Sequence, residues 1–448
     1  MLSVEQARAQ AQSLVERARA AGADAADALY AASESQSVQV RLGELEHVDR
    51  SEGEEIGLRV FLGAKSASIA SSDFSDESLA ELVKRALAMA AEALEDPYAG
   101  LAPAELLFHG DLPDIDAVDA AQPDPEELRA RALEAERAAL GMPGITNSTG
   151  SSASASGSTV ALATSTGFSG AYRATGHSGS AGVIAGEGAT MQRDSAWHGV
   201  RHLEDLDAPE AIGRLAGERA VARLNPSKPK PGRYPVLFDP RVSSSLIGHF
   251  TGAINGASIA RKSSFLQDKL GERIFTSGVR IIDDPLRRRG LRSRPFDGEG
   301  LAVSEQALVD DGILRMWLAN WASAKQLGIQ PTGHAVRGAS GPPGVGTSNL
   351  YIAAGKRRRE DLLAAFPEAV LVTELIGQGV NGVTGDYSRG AAGFMVRNGE
   401  IAEPVSEMTI ASNLIDMFAT LEPGSDLEFR RGVDAPTLLI PEMTVAAA

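Results

Sequence analysis

A glycine-rich stretch from Gly377 to Asn413 constrains the fold of this chain more than any other feature. It reads GQGVNGVTGDYSRGAAGFMVRNGEIAEPVSEMTIASN and holds seven glycines. Because a glycine inside a helix costs about 1 kcal/mol relative to alanine, such a run cannot be helical. The glycines indicate backbone in conformations that only glycine reaches, or backbone that another chain or a ligand approaches closely.

The first six residues of this stretch, GQGVNG, match the G-x-G-x-x-G pattern of dinucleotide-binding loops. Such a loop lies between a strand and a helix whose N-terminus faces the pyrophosphate. The apolar run Ala369 to Leu375 could supply the strand, but VTGDYSRGAAG follows Gly382 and cannot open a helix. Phe394 to Val396 instead predicts a strand, Asn398-Gly399 a type I′ turn, and Glu400 the start of a returning strand. The sequence therefore argues against a nucleotide site.

The composition of the 448-residue chain excludes several classes of function. A formal net charge of −16 argues against a nucleic-acid partner, which would need a basic face. The absence of cysteine excludes disulfides, thiolate nucleophiles and cysteine metal ligands. The N-terminus carries acidic residues and lacks the apolar run of a signal peptide, and no stretch reaches the ~20 apolar residues of a membrane span. We expect a cytoplasmic protein without a membrane partner.

Sequence patterns predict an α+β protein of two domains. Residues 1–224 predict helices and an antiparallel meander, and residues 236–448 predict a β-rich domain that contains the glycine-rich stretch at 377–413. The linker at 225–235 reads NPSKPKPGRYP, and its four prolines prevent a continuous helix. Runs of strands with helices segregated on one side, rather than regular βαβ alternation, indicate antiparallel or mixed sheets.

Three segments carry more specific expectations. Small residues dominate from Gly144 to Met191, which is typical of a disordered linker. Small apolar and polar residues alternate within this segment, however, and this alternation favours the strands of a sheet. Farther along, Pro240 to Ser258 and Lys262 to Leu270 each predict a helix.

Several segments in register resemble the PmbA/TldE branch of the TldD/PmbA family, once called modulators of DNA gyrase. They are VNGVTGDYSRGAAGFMVRNGEIAEPVSEMTIASNLIDMF near the C-terminus, DDPLRRRGLRSRPFDGEG from Asp283 and TGHAVRGASGPPGVGTSNLYI from Thr332. Fainter matches lie at Val40 to Ser75 and Glu95 to Ala102, so the resemblance covers nearly the whole chain. It implies a PmbA/TldD-like fold and a place in a peptidase complex.

The resemblance also implies where zinc chemistry resides in this family. In the TldD partner, an H-E-x-x-x-H helix and a cysteine near the C-terminus hold zinc, and zinc-bound water attacks a peptide carbonyl with the glutamate as general base. The equivalent helix here runs from Ser243 to Phe265. Ile247, Gly248 and Gly252 stand where the two histidines and the glutamate should be, and His249 stands beside them alone. We therefore expect no zinc in this chain and zinc in a TldD-type partner subunit.

The remaining histidines give no metal site by their spacing. His198 and His202 are four residues apart, but the segment predicts a strand, which would separate them by roughly 13 Å. Four others have no acid or histidine at ligand spacing: His47, His109, His177 and His334.

Five polar residues between the glycines are the candidate functional residues. One interpretation is a loop that hydrogen-bonds its own backbone and pairs Asp386 with Arg389. The other is the lip of a substrate channel that offers Arg389 and backbone N–H groups to a peptide. No G-x-S-x-G motif is present, so we predict no catalytic residue. The candidate substrate-binding residues are Asn381, Asp386, Tyr387, Ser388 and Arg389.

Two basic runs stand out in this acidic chain. The first holds Arg287, Arg288, Arg289, Arg292 and Arg294, and the second is Lys356 to Arg359. Each could hold an acidic partner or a peptide carboxylate. Each could equally be a solvated face balanced by neighbouring acids, which are Asp283, Asp284, Glu360 and Asp361.

Three functional hypotheses follow. The first is a metal-free subunit of a cytoplasmic zinc metalloprotease, a heterodimer or higher assembly that cleaves peptides or unfolded polypeptides. In it this chain shapes the substrate cavity while a TldD-type subunit supplies zinc. The alternative is a self-sufficient homodimeric peptidase or other hydrolase with an unrecognised site. A third, weaker hypothesis is a binding protein with no proteolytic role.

Overall fold

The computed structural model describes residues 1–447, and the first two hundred of them build a long antiparallel sheet. Its strands are β1 (Ala25–Arg41), β2 (Glu44–Leu62), β3 (Lys65–Ser71), β4 (Ile145–Thr164), β5 (Ser169–Ala185) and β6 (Gln192–Val200). They lie in the order β3-β2-β1-β4-β5-β6. Four helices pack on this N-terminal sheet: α1 (Val4–Ala20), α2 (Asp76–Glu92), α3 (Pro125–Leu140) and α4 (Pro209–Ala222).

Three of these four helices begin where the sequence supplies a side-chain N-cap, whereas α4 begins after Ala208 without one. Ser3 and Asp124 each accept a hydrogen bond from the backbone of the following turn and form capping boxes with the third helical residue. Ser75 caps α2, and Pro125 occupies the first position of α3, where a missing N–H costs nothing.

All four helices lie on one face of the N-terminal sheet. Along β1 the alternate residues Ala26, Ala28, Tyr30 and Ala32 pack under α1 and α2, and the same face farther along packs under α3. The small alanines let the helices approach the sheet closely. The predicted segregation of helices on one side is confirmed here.

The Ser/Thr/Ala/Gly segment from Gly144 to Met191 is ordered sheet. It supplies β4, β5 and the approach to β6, so the disordered-linker interpretation is wrong. Hydroxyl pairs replace apolar packing across the strands: Ser152 with Ser180 at 2.9 Å and Ser154 with Ser178 at 2.8 Å.

The second part of the chain contains shorter elements. Its strands are β7 (Gly232–Phe238), β8 (Ile281–Asp284), β9 (Gln306–Asp310), β10 (Ile313–Leu314), β11 (Ala335–Val336), β12 (Gly344–Val345), β13 (Asn349–Ile352), β14 (Glu368–Ile376), β15 (Asp386–Arg397), β16 (Glu400–Asn413), β17 (Glu422–Pro423), β18 (Val433–Asp434) and β19 (Leu438–Ala447). Its helices are α5 (Pro240–Ala253), α6 (Gly256–Ala260), α7 (Trp321–Leu327), α8 (Arg359–Leu363) and α9 (Leu414–Thr420).

These strands form mixed sheets around the largest core. β16-β15-β14-β7-β19 close into a ring because β16 also pairs with β19, and β7 and β14 run parallel within it. A second sheet, β10-β9-β8-β13-β18, lies beside it, and β11 pairs with β12. Helix α5 packs Leu246, Ile247 and Phe250 into the core between them. The α+β class with antiparallel and mixed sheets is confirmed.

The helix predicted at Lys262 to Leu270 does not form. Lys262 adopts a left-handed backbone with φ 55°, and the Ser264 hydroxyl bonds the Ala253 carbonyl and the Leu266 N–H instead of leaving the backbone free to coil. The helix predicted from Pro240 to Ser258 is likewise split into α5 and α6, because Asn255 caps a new helix.

The face of the N-terminal sheet opposite its helices is covered by the second part of the chain. The Phe296 ring packs against Phe168 and Tyr172, with centroids 4.8 and 5.5 Å apart. A Cβ on Gly57 would stand 1.7 Å from the Ala339 carbonyl oxygen, so the two backbones touch where only glycine fits.

The proline-rich segment at 225–235 is held against the second part of the chain, and its last residues belong to β7, which pairs with β19. The Ser227 N–H donates to the Pro404 carbonyl at 2.9 Å, and Pro229 is buried. The domain division at this segment stays a prediction. Of the helices in residues 1–447, none is long and apolar enough to cross a membrane.

Candidate functional site

The glycine-rich stretch folds as two consecutive hairpins. β14 turns through residues 377–385 into β15, which turns at Asn398 and Gly399 into β16, with φ of 52° and 89° at the two turn residues. The predicted hairpin at Asn398-Gly399 is confirmed. A strand, rather than a helix, follows Gly382, in agreement with the argument against a nucleotide site.

The first turn is closed by its own backbone. The Ser388 N–H donates to the Gly379 carbonyl at 2.7 Å, and the Asn381 N–H donates to the Asp386 carbonyl at 2.9 Å. The Asn381 side chain accepts from the N–H groups of Val383 and Thr384, so it stabilises the turn. A Cβ on Gly379 would lie 1.9 Å from the Ser388 carbonyl oxygen, which explains the glycine there.

The five predicted site residues do not share one face. From Asp386 to Arg389 the chain is strand β15, so the loop interpretation is wrong and side chains alternate. Asp386 and Ser388 are exposed, whereas Tyr387 and Arg389 are buried toward α5. Asp386 therefore does not pair with Arg389. It accepts hydrogen bonds from Thr384 at 2.7 Å and Asn413 at 3.2 Å, which hold the pKa of its carboxyl below the usual range.

His249 on α5 joins Tyr387 and Arg389 in one cluster, here called the α5–β15 site. The rings of His249 and Tyr387 meet edge to face with centroids 6.0 Å apart. Burial, and then the Arg389 charge, lowers the pKa of His249, so its imidazole is neutral at pH 7. Burial raises the pKa of Tyr387 to about 12. The cluster thus combines a neutral imidazole, a phenol and a guanidinium.

Each residue of the α5–β15 site has hydrogen-bonding capacity to spare. His249 Nε2, the Tyr387 hydroxyl and Arg389 Nε are buried without a hydrogen-bond partner within residues 1–447. Buried polar atoms in folded proteins are normally satisfied, so such groups invite a function or a ligand. The donors suit the carbonyl or carboxylate oxygens of a peptide. The three residues of the site include no carboxylate that could act as a general base.

The α5–β15 site lies beside two exposed glycines of α5. Gly248 and Gly252 are exposed, and a Cβ built on either would meet no atom within 4 Å. They lie four residues apart and so share one helix face. The helix therefore offers a bare strip of backbone next to His249.

The donor set at α5 does not fit zinc. Ile247, which stands at a position of the H-E-x-x-x-H pattern, is buried in the core, and Gly248 and Gly252 offer no ligand atoms. The one imidazole lies near the Arg389 cation, which disfavours a second positive charge. Within the described residues, no group of three or more His, Asp or Glu side chains could hold a metal ion. The expectation of a zinc-free chain stays a prediction.

The other buried histidines have carboxylate partners that their spacing could not reveal. His198 lies in β6, as the predicted strand required, and His202 lies just beyond it. Their partners come from distant segments, at 3.0 to 3.3 Å: His177 with Asp119, His198 with Asp207, His202 with Asp116, and His334 with Asp283. These pairs join distant segments of the chain, and His177 and His202 both lie beside Asp119, at 3.0 and 3.9 Å.

His249 looks isolated in the sequence because its neighbours Tyr387 and Arg389 lie on a different element, β15. One local signal was available. Asp386 to Arg389 alternates exposed and inward side chains with a period of two, which marks a strand that turns Tyr387 and Arg389 to the same side.

Three family models match consecutive parts of the chain. They are described as PmbA/TldA metallopeptidase domain 1 at residues 26–90, the central domain at 119–224 and the C-terminal domain at 231–447.

Curated relatives match over almost the whole chain. The metalloprotease PmbA of Escherichia coli O157:H7 is 39% identical over 425 residues, which cover 94% of this chain and 92% of the relative. A metalloprotease PmbA homolog of Haemophilus influenzae is 36% identical over 435 residues, with 96% and 94% covered.

Solved structures share the fold. A putative modulator of DNA gyrase from Bacteroides thetaiotaomicron superposes with a TM-score of 0.91 at 27% identity and covers 100% of both chains. TldE from Thermococcus kodakarensis superposes with a TM-score of 0.86 at 19% identity, covering 97% of this chain and 99% of that one, a likeness of fold.

Proposed function

Because this chain belongs to the TldD/PmbA family of metalloproteases, we propose that it is the metal-free subunit of a peptide-cleaving complex whose zinc resides in a TldD-type partner. The complex acts in the cytoplasm on peptides or unfolded polypeptides. The zinc of the partner supplies the Lewis acid, and this chain binds and orients the peptide.

The observation that carries the proposal is the α5–β15 site. Helix α5 keeps an open face, but Gly248 and Gly252 occupy that face in place of ligands, and Arg389 puts a positive charge beside the remaining His249. Such a site can hold a peptide oxygen through Tyr387 and Arg389. It lacks the carboxylate that a metalloprotease uses as general base.

Exposed apolar side chains beside the first hairpin support a partner surface there. Ile376 and Val383 are each 58% exposed, and Ile415 is 42% exposed. The turn and the start of α9 are joined, since the Leu414 N–H donates to the Gly385 carbonyl at 2.7 Å. A second chain that covers these residues would exclude water from the α5–β15 site and strengthen its hydrogen bonds to a peptide.

Mixing experiments test this proposal. This chain and a TldD-type protein from the same organism are purified separately, and cleavage of an unfolded polypeptide is measured for each alone and for the mixture. We expect cleavage by the mixture and none by this chain. The test variant is Val383→Asp, which should weaken assembly through the turn, and the control is Val118→Asp, at an exposed position far from it in sequence. Cleavage that is unaffected by adding this chain contradicts the proposal.

The alternative is a self-sufficient homodimeric peptidase. It is favoured by the Escherichia coli relative, which is itself named a metalloprotease. Under this alternative the isolated chain cleaves the same substrate in proportion to its dimer concentration.

A further inference from the structure

A pocket of about 350 Å³ lies where the end of β6 meets the loop after β8 and the loop before β18. Six arginines line it, and we call it the arginine pocket: Arg201, Arg287, Arg288, Arg289, Arg430 and Arg431. The only acidic side chain in its lining is Asp205. Such a concentration of positive charge is unexpected in a chain with a net charge of −16.

Three of the six arginines are neutralised by acidic neighbours. Arg288 pairs with Asp114 and Asp116, Arg289 with Asp116, Glu204 and Asp205, and Arg430 with Asp207 and Glu428.

The other three form no close ion pair with a carboxylate within residues 1–447: Arg201, Arg287 and Arg431. Asp434 lies near Arg287 and Arg431 and offsets part of their positive charge. Arg201 donates to the carbonyls of Thr175 at 2.9 Å and Gly290 at 3.3 Å and to that of Leu291. Carbonyl oxygens satisfy its N–H groups but leave the positive charge in place.

The side chains of Arg201 and Arg287 are held in position. Three backbone contacts fix the Arg201 guanidinium, which is largely buried, and burial lowers its pKa without making it neutral at physiological pH. The Arg287 guanidinium lies over the Phe429 ring, 3.1 Å from its centroid. A stacked guanidinium keeps its N–H edge free for a planar oxyanion. This side of the pocket is therefore ordered before any ligand arrives.

Asp283 and Asp284 make most of their contacts outside this basic run. Asp283 accepts hydrogen bonds from the Ser348 N–H and hydroxyl at 2.8 and 3.0 Å and lies beside His334. Asp284 accepts from the Leu286 N–H at 3.1 Å, and its charge also acts on Arg287. The interpretation of this run as a solvated face balanced by Asp283 and Asp284 stays a prediction.

Three arginines of the second basic run are paired with acids. Arg357 pairs with Glu422, Arg358 with Asp361, and Arg359 with Asp239 and Asp426. Balance by neighbouring acids is confirmed for Arg358 and Asp361, which lie three residues apart.

We propose that the arginine pocket binds the oxyanion group of a small ligand, a carboxylate or a phosphate. The guanidinium fork matches both groups through paired N–H donors. The volume exceeds that of a single ion and leaves room for the body of a ligand such as a short acidic compound or a peptide end. The proposal does not depend on zinc or on a partner subunit. Its test is therefore independent of the test of the function proposed above.

Calorimetric titration of the full chain at low salt tests this site. The probes are inorganic phosphate, citrate, and one short peptide with either a free or an amidated C-terminus. Saturable binding of at least one oxyanion probe supports the pocket. The order of the affinities identifies the source: phosphate alone indicates a phosphate ligand, and preference for the free over the amidated peptide indicates a peptide carboxylate.

The variant Arg287→Gln/Arg431→Gln should weaken the affinity for the bound probe about tenfold or more, because charge-assisted hydrogen bonds are lost. Arg201 stays unchanged, since its carbonyl bonds also hold the loops. Arg214→Gln, on the exposed side of α4, is the matched control and should bind as the parent chain does. Circular dichroism confirms that each variant is folded. No saturable binding of any probe, or equal affinity in the double variant and parent chain, overturns the proposal.

Discussion

Two buried clusters that contain arginine differ in whether a carboxylate contacts the guanidinium groups. In the junction cluster, between the N-terminal sheet and the second part of the chain, Asp27 contacts both Arg59 and Arg337. Asp27 is 1% exposed, and burial alone would raise its pKa, but the two guanidiniums outweigh burial and hold the pKa of Asp27 below its usual value. In the α5–β15 site, Arg389 is 9% exposed and has neutral neighbours, His249 and Tyr387.

This difference separates a structural site from an available one. The junction cluster joins β1 and β2 to the segment that carries Arg337, and a ligand could enter only by breaking its ion pairs. Removing one member of the cluster leaves a buried charge without its partner, which destabilises the fold. The α5–β15 site has no ion pair to break when it accepts a hydrogen-bonding ligand, and it lies beside the exposed Gly248 and Gly252. Arginines that share a buried carboxylate hold the fold, and an arginine without such a carboxylate is left for a ligand.

The largest expected effect is at the junction cluster. Asp27→Ala leaves Arg59 and Arg337 buried without their carboxylate, and we expect it to lower the free energy of unfolding by about 3–5 kcal/mol. Urea denaturation measures the change. Asp49→Ala, at an exposed position of the same hairpin, is the matched control and should change stability by less than about 0.5 kcal/mol. If the two variants were equally stable, the junction cluster would have no structural role.

The pH dependence of stability gives a second test of the junction cluster, because Glu299 is buried near it. Burial, and then the Asp297 charge, raises the pKa of Glu299 to about 7 from its usual 4.5. The folded chain therefore holds this proton more tightly than the unfolded chain does. The stabilising contribution is complete below pH 4.5 and is lost as pH rises to about 7, by roughly 3 kcal/mol in total.

Glu299→Gln should remove this loss, since an amide oxygen can still accept the Trp321 N–H. The measurement is the stability difference between the parent chain and the variant across pH 4.5–7.5. Glu305→Gln, at an exposed position, serves as the control. Parallel stability curves for the parent chain and Glu299→Gln would show that Glu299 ionises alike in the folded and unfolded states.

Local patterns explain which parts of the fold the sequence could predict. The Asn398-Gly399 hairpin and the strands within 144–191 follow from turn chemistry and alternation, which act between near neighbours. The helix predicted at 262–270 failed because a left-handed Lys262 and the Ser264 hydroxyl outweigh helical periodicity. The α5–β15 site and the arginine pocket join segments far apart in the chain, and no spacing rule places them together.

A smaller effect on stability is expected at the α5–β15 site. Arg389→Leu leaves no carboxylate unpaired, so it should change the free energy of unfolding by about 1 kcal/mol or less, whereas Arg59→Leu at the junction should cost about 3–5 kcal/mol. The kcat/KM of the mixed complex should fall about tenfold with Arg389→Leu, because a charged hydrogen bond to the peptide is lost. If Arg389→Leu strongly destabilised the chain, Arg389 would have a structural role like that of Arg59, and the contrast between the two clusters would be wrong.

The smallest effect is expected at Ser388. Its side chain is exposed on the opposite face of β15 from His249, so no base can activate it. Ser388→Ala should leave stability and the cleavage rate of the mixed complex within about twofold of the parent values. Loss of cleavage by an assembled Ser388→Ala complex would instead identify Ser388 as catalytic.

The zinc content of the separated subunits tests the central claim most directly. This chain and a TldD-type partner are purified apart and as their complex, and metal is counted by elemental analysis. We predict no stoichiometric zinc in this chain, alone or with His249→Ala, and zinc in the complex that tracks the amount of partner. One tightly bound zinc per copy of the isolated chain, lost in His249→Ala, would contradict the account and make α5 a metal site.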